Sequence, residues 1–105
     1  MITQEQLDHI ISRIVKTSNP EKIILFGSYA EGKAWEGSDL DLFLVKETKE
    51  APFDRSAEIR KALRDFLLPM DILVYTPEEV ERDKDRKYTF IHEVLKSGKI
   101  LYAKT

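Results

Sequence analysis

Residues 25–45 read LFGSYAEGKAWEGSDLDLFLV, and the fold turns on how this stretch is read. Lys22-Ile23-Ile24-Leu25-Phe26 is short, apolar and β-branched, which predicts a buried strand ending at Gly27-Ser28. After an interval of ten residues, Tyr29 to Ser38, Asp39 and Asp41 flank a leucine at the head of a second apolar run. A strand over 39–45 puts Asp39, Asp41, Phe43 and Val45 on one face and Leu40, Leu42 and Leu44 on the other. Two ionised carboxylates beside a hydrophobic strand are costly unless something compensates them.

Outward from this stretch the chain alternates between helical and extended patterns. Thr3-Gln4-Glu5-Gln6 has the form of a capping box, and Leu7, Ile10, Ile11, Ile14 and Val15 follow at helical spacing until Ser18-Asn19-Pro20. Tyr29 to Lys33 predicts a short helix or turn closed by Gly32, and Trp35 to Ser38 a loop. Lys46 to Ala51 reads as an exposed connection. Pro52 and Asp54 lead into a second helix with the stripe Ile59, Ala62, Leu63, Phe66 and Leu67, ended by Pro69. Met70 to Tyr75 is a third strand, with Asp71 near its start. Thr76-Pro77-Glu78-Glu79 is a helix start, and the run Glu81 to Lys87 is a solvated face or a break between helices. Ile91, Val94 and Leu95 mark a last helix with Gly98 as its C-cap, and Ile100-Leu101-Tyr102 a terminal edge strand or tail. This order predicts an α/β (α+β) domain over residues 1–105: a small mixed sheet of three to four strands with helices mainly on one face. The helix between strands two and three permits a parallel pair, whereas the short link between strands one and two suits either direction.

Composition narrows the function. The 105 residues suffice for one small domain, with 42% hydrophobic and 34% charged residues. A net charge of −2 gives no basic footprint for nucleic acid, which leaves a nucleotide open as a small ligand. The absence of cysteine removes disulfides, thiolate metal sites and a cysteine nucleophile, and fits an intracellular protein. The apolar runs are too short for a bilayer and the first residues lack a secretory pattern, so a cytoplasmic location is expected.

Asp39 and Asp41, with Cα atoms about 7 Å apart on one strand face, can share a hard cation or hold two. If strands two and three are neighbours, Asp71 points to the same place. Three carboxylates in one place repel one another without divalent metal, and oxygen ligands favour Mg²⁺ or Mn²⁺ over zinc. Taken alone, the D-x-D pattern is also explained by Ser38 and Asp39 capping a turn, with Asp41 on an exposed face. Gly27-Ser28 adds a second feature. Glycine admits a phosphate close to the backbone, a helix start aims N–H groups at an anion, and the serine hydroxyl adds a donor. His9 and His92 read as packing or surface residues. Trp35 covers the loop, a base or a partner contact, and Tyr88, Phe90 and Tyr102 are core or interface.

Gly27-Ser28, the ten-residue interval, Asp39-Leu40-Asp41 and the strand Met70-Asp71-Ile72-Leu73-Val74 together resemble the DNA polymerase β-type nucleotidyltransferase superfamily. The small size is similar to the minimal nucleotidyltransferase (MNT) branch and its MntA-type antitoxins. The resemblance implies that Asp39, Asp41 and Asp71 are catalytic and hold two Mg²⁺ ions, that Asp71 helps to deprotonate the acceptor, and that Gly27, Ser28 and Ser38 bind the nucleotide. It implies ATP or another nucleoside triphosphate as donor and a HEPN-domain toxin as partner, whose tyrosine would receive AMP. Many members carry a basic residue where this chain has Glu31, which either weakens anion attraction or faces solvent. The alternative is the same fold neutralising a HEPN-type protein by binding alone. A haloacid dehalogenase-type phosphatase fits less well, because there the aspartates follow an apolar strand instead of opening one. Glycosyltransferase folds need a longer chain.

Overall fold

The computed structural model describes residues 1–104. The strand Leu40–Val45 (β2) lies where two apolar layers meet. Leu40, Leu42 and Leu44 enter the larger core, while Phe43 and Val45 enter a smaller one on the opposite face. The period-two alternation therefore holds, but both faces are covered, which is why five of the six β2 residues are buried and only Asp41 is not.

Before β2 come α1 (Gln4–Ser18), β1 (Lys22–Phe26) and α2 (Gly27–Ala30). After it come a 3-10 turn over Pro52–Asp54, then α3 (Ala57–Ala62), β3 (Met70–Tyr75), α4 (Pro77–Asp83), α5 (Phe90–Ser97) and β4 (Lys99–Ala103). The sheet order is β3-β2-β1-β4. β1 runs antiparallel to both β2 and β4, and β2 runs parallel to β3, the direction that the intervening helix permits.

The two helix layers follow from the stripes. Leu7, Ile10 and Ile14 of α1, with Ile59 of α3 and Leu63 just beyond it, pack on Ile23, Leu25, Leu40, Leu42, Leu44, Ile72 and Val74. Thr3 and Gln6 form the predicted capping box, and Asn19 closes α1 in the left-handed region at φ 48°. On the other face, Ile91, Val94 and Leu95 of α5 and Val80 of α4 cover Ile24, Phe43 and Val45. Most of the helical cover thus lies on the α1–α3 side, and α4 and α5 add a smaller layer opposite.

Several expectations shift. α3 ends at Ala62, so Leu67 leaves the apolar stripe and stands 96% exposed, while Leu68 packs in its place. The charged run 81–87 is the break between helices: α4 stops at Asp83, and His92 Nδ1 lies 2.8 Å from Lys84 O across the turn. Of the two alternatives for Tyr88, core is excluded: it is 93% exposed at φ 73°, because the turn into the Thr89 cap of α5 carries it outward. Gly98 does follow α5, but in extended backbone at φ −76°. Its role is space, since a Cβ there would lie 2.6 Å from Ile24 Cγ2 and from Val94 O.

β3 is an edge strand whose outer carbonyls are taken up by arginines. Arg60 donates to Ile72 O at 3.0 Å and Arg55 to Val74 O at 3.3 Å. Arg55 also meets Glu79 at 2.7 Å, with 9% of its side chain exposed. Burial pushes the Glu79 carboxyl up, but the Arg55 guanidinium and Thr76 outweigh it and hold the group below its ordinary value. A depressed carboxylate stabilises the fold above its unfolded pKa, and that contribution fades as pH falls through the folded value. Arg55→Ala is expected to destabilise the fold by about 2–3 kcal/mol by leaving a half-buried carboxylate and a strand carbonyl unpartnered. Denaturant titration should show this loss in full at neutral pH and a smaller one in acid.

Candidate active site

The strand register assembles the site. Asp41 lies opposite Phe26, the last residue of β1, on one side, and opposite Asp71 of β3 on the other. Adjacent strands are about 4.8 Å apart, so Asp41 and Asp71 are neighbours on the same sheet face. Asp39 precedes β2 and is exposed. It belongs to the turn and not to the strand, because Ser38 N donates to Trp35 O at 2.9 Å and the ladder begins where Leu40 N reaches Pro69 O at 2.9 Å.

Gly27 sits against Asp41. An added Cβ would land on Asp41 Oδ2 and 3.0 Å from its Cγ, and Gly27 has φ 73°. Both conditions exclude other residues at low cost. The helix that follows begins earlier than expected and is a single turn, Gly27–Ala30. Phe26 gives it no side-chain cap, so its first N–H groups have no side-chain partner there. Ser28 is half-buried within that turn.

Ser38 is 8% exposed, and its Oγ accepts from Trp35 N at 2.8 Å. Its hydroxyl closes the loop, as the turn-capping alternative has it. Trp35 folds back over Gly37 and remains 67% exposed. Glu31 and His9 are exposed.

Asp41 titrates above the ordinary aspartate value. Burial contributes most, followed by the charges of Asp71 and of Asp39. The charges of Asp71 and Asp39 thus reach Asp41, although among the described residues no three His, Cys, Asp or Glu side chains are gathered into a metal-ligating cluster. Arg60 Nη2 stands 3.6 Å from Asp71 Oδ1 and supplies a positive charge at the edge of the site. The donor set fits a hard divalent cation in its chemistry: it is oxygen-only, two members are in register on adjacent strands, and the most buried one is raised first by burial and then by the other two.

Sequence reasoning did not single out Arg60, and no local pattern marks it. Its position became visible only when α3 was placed against the β3 edge. Beside Asp41 on the same face, Phe43 stacks on Tyr75 at 5.0 Å, and Phe90 meets Phe26 edge-on at 5.5 Å.

Residues 8–105 match the model of the family described as Polymerase beta, Nucleotidyltransferase. The chain belongs to this family. It is similar to a Methanocaldococcus jannaschii protein provisionally named a protein adenylyltransferase, at 34% identity over 84 residues that make up 78% of each chain. A provisionally assigned nucleotidyltransferase from Sulfolobus solfataricus shares the fold with TM-score 0.66 and 20% identity, covering 93% of this chain and 78% of that one. A toxin–antitoxin structure with AMP-PNP aligns with TM-score 0.65 and 20% identity, over 93% of this chain and 73% of that one. The chain is accordingly a nucleotidyltransferase, as its motifs imply. No helix among its described residues is long and apolar enough to cross a membrane.

Two outcomes follow from this geometry. Gly27→Ala should lower stability by about 2 kcal/mol or more, because it combines left-handed strain with a clash at Asp41. Differential scanning calorimetry would register a drop of at least about 8 °C. Asp41→Asn should act in the opposite direction. An acid whose folded pKa is raised gives stability that is complete below its unfolded pKa and is lost as pH rises through the folded value. The asparagine variant, free of divalent metal, should therefore melt higher than wild type at neutral pH, with the gain vanishing in acid.

Proposed function

We propose that this chain transfers a nucleoside monophosphate, AMP from ATP, to a protein hydroxyl, and that the acceptor is a tyrosine of a HEPN-domain toxin neutralised by the modification. The observation that carries the reading is the register of Asp41 with Asp71 beside the side-chain-free Gly27. The names of the Methanocaldococcus relative and of the AMP-PNP-bound toxin–antitoxin neighbour support the donor and the kind of partner.

In this reading Asp39, Asp41 and Asp71 hold divalent cations, two Mg²⁺ with Mn²⁺ as substitute. Bound there, such ions offset the charge that builds on the attacking and leaving oxygens of an in-line displacement. Gly27 lets the β- and γ-phosphates approach the backbone, and the Ser28 hydroxyl donates to them. Ser38 acts one step back, fixing the loop that leads into Asp39. The acceptor oxygen forms a bond to the α-phosphorus, the bond from that phosphorus to the bridging oxygen breaks, and pyrophosphate leaves. Asp71, exposed at the sheet edge, takes the acceptor proton. Positioning supplies most of the acceleration, since the transferring group needs little covalent help from protein.

The test incubates the chain, Mg²⁺ and α-labelled ATP with a tyrosine-bearing HEPN protein. Label is expected on the HEPN chain, with loss of at least about a hundredfold in Asp41→Asn, the scale for removing a group that acts on the transition state. No transfer from a preparation that binds ATP and metal would sink the reading. Neutralisation that survives Asp39→Asn combined with Asp41→Asn would assign the effect to binding alone.

A further inference from the structure

The sheet face that carries Asp41 also carries an aromatic cluster that the chemistry above does not use. Phe26 lies opposite Asp41 in the β1–β2 ladder, and Phe43 follows Asp41 on the same face, about 7 Å along β2. Phe90, the first residue of α5, closes over both. Its ring centroid lies 5.5 Å from that of Phe26, edge-on, 6.2 Å from Phe43 and 6.1 Å from Tyr75. Phe43 is fully buried, stacked on Tyr75 at 5.0 Å. Phe90 itself is 43% exposed. A phenyl ring held by three aromatic neighbours therefore stays open to solvent beside the candidate site.

The position of this ring selects its occupant. Phe26 immediately precedes Gly27, and both stand on the β1 side of Asp41, whereas Asp71 stands on the β3 side. In the reading above the donor phosphates take the Gly27 side and the acceptor arrives at Asp71, so the ring borders the donor. A nucleotidyltransferase must place the base of its donor within one ribose of the reacting phosphorus, and the step from Asp41 to Phe43 is of that size. A planar base stacked on a phenyl face hides apolar surface on both partners and demands no hydrogen bond from the protein. We infer that Phe90 is the stacking platform for the base of the nucleoside triphosphate, with Phe26 and Tyr75 fixing its ring. The inference rests on the donor lying at Gly27 and Asp41, and it adds the residue against which the base is held.

Isothermal titration calorimetry in Mg²⁺, comparing ATP with inorganic tripolyphosphate, tests this. Tripolyphosphate keeps the charged tail and lacks the base. Phe90→Leu keeps an apolar cover over Phe43 and removes the ring, and it should weaken ATP at least about fivefold while leaving tripolyphosphate unchanged. Phe90→Trp, which offers a larger face, should hold ATP at least as tightly as wild type. Thermal melts check that each variant remains folded. Equal ATP affinity in wild type and Phe90→Leu would overturn the inference, and so would a loss that tripolyphosphate shares. Unchanged ATP binding with loss of label on the HEPN protein would assign the ring to the acceptor tyrosine and overturn it equally. A selective loss of ATP affinity, in a chain that labels no HEPN protein, would uphold the platform and sink the proposed acceptor alone.

Discussion

Asp41 occupies the space into which a side chain at residue 27 would project, and this close approach joins the two halves of the site. The turn that follows β1 can lie against a carboxylate only because Gly27 has no Cβ. The carboxylate is held there because β2 is pinned on both sides, opposite Phe26 in β1 and Asp71 in β3. A slip of one residue in either ladder would turn Asp41 into the leucine core and bring Leu40 or Leu42 to the site. The burial of both faces of β2 makes such a slip expensive, so the apolar layers that stabilise the fold also fix where the charge stands.

That arrangement carries an electrostatic penalty, and the molecule meets it from an unexpected direction. Burial and the neighbouring charges raise Asp41, while Arg60 stands beside Asp71 at the open edge. Arg60 is also bound to Ile72 O and cannot withdraw freely. In the proposed reading, a cation among the three carboxylates would compete with Arg60 for Asp71.

The strands and the three candidate carboxylates were legible in the sequence because they depend on local pattern. Apolar runs with period two, Thr3 and Thr76 with their capping partners, and the fixed interval from Gly27-Ser28 to Asp39 all lie within short windows. The side-by-side placement of strands two and three was a stated condition, and the parallel register of Asp41 with Asp71 meets it. What the sequence hid depends on contacts between distant segments. Leu67 fits a helical stripe that α3 is too short to continue, and Tyr88 looks apolar but stands in an outward turn before the Thr89 cap. Gly98 sits where a C-cap belongs, yet it is required by Ile24 across the sheet. Arg60 carries no signature at all, since nothing near it in the chain shows that β3 will be its neighbour.

The order β3-β2-β1-β4 then separates two kinds of surface. Chemistry needs an edge where a phosphate and an acceptor can arrive from solvent but where no foreign strand can add. Arg55 and Arg60 provide this along β3, since they occupy its carbonyls without covering the face that bears Asp41 and Asp71. β1, which leads into the Gly27 turn, lies inside the sheet between β2 and β4. β4 carries a bulge where its register with β1 shifts between Ile23 and Ile24, and a bulge blunts an edge against further pairing.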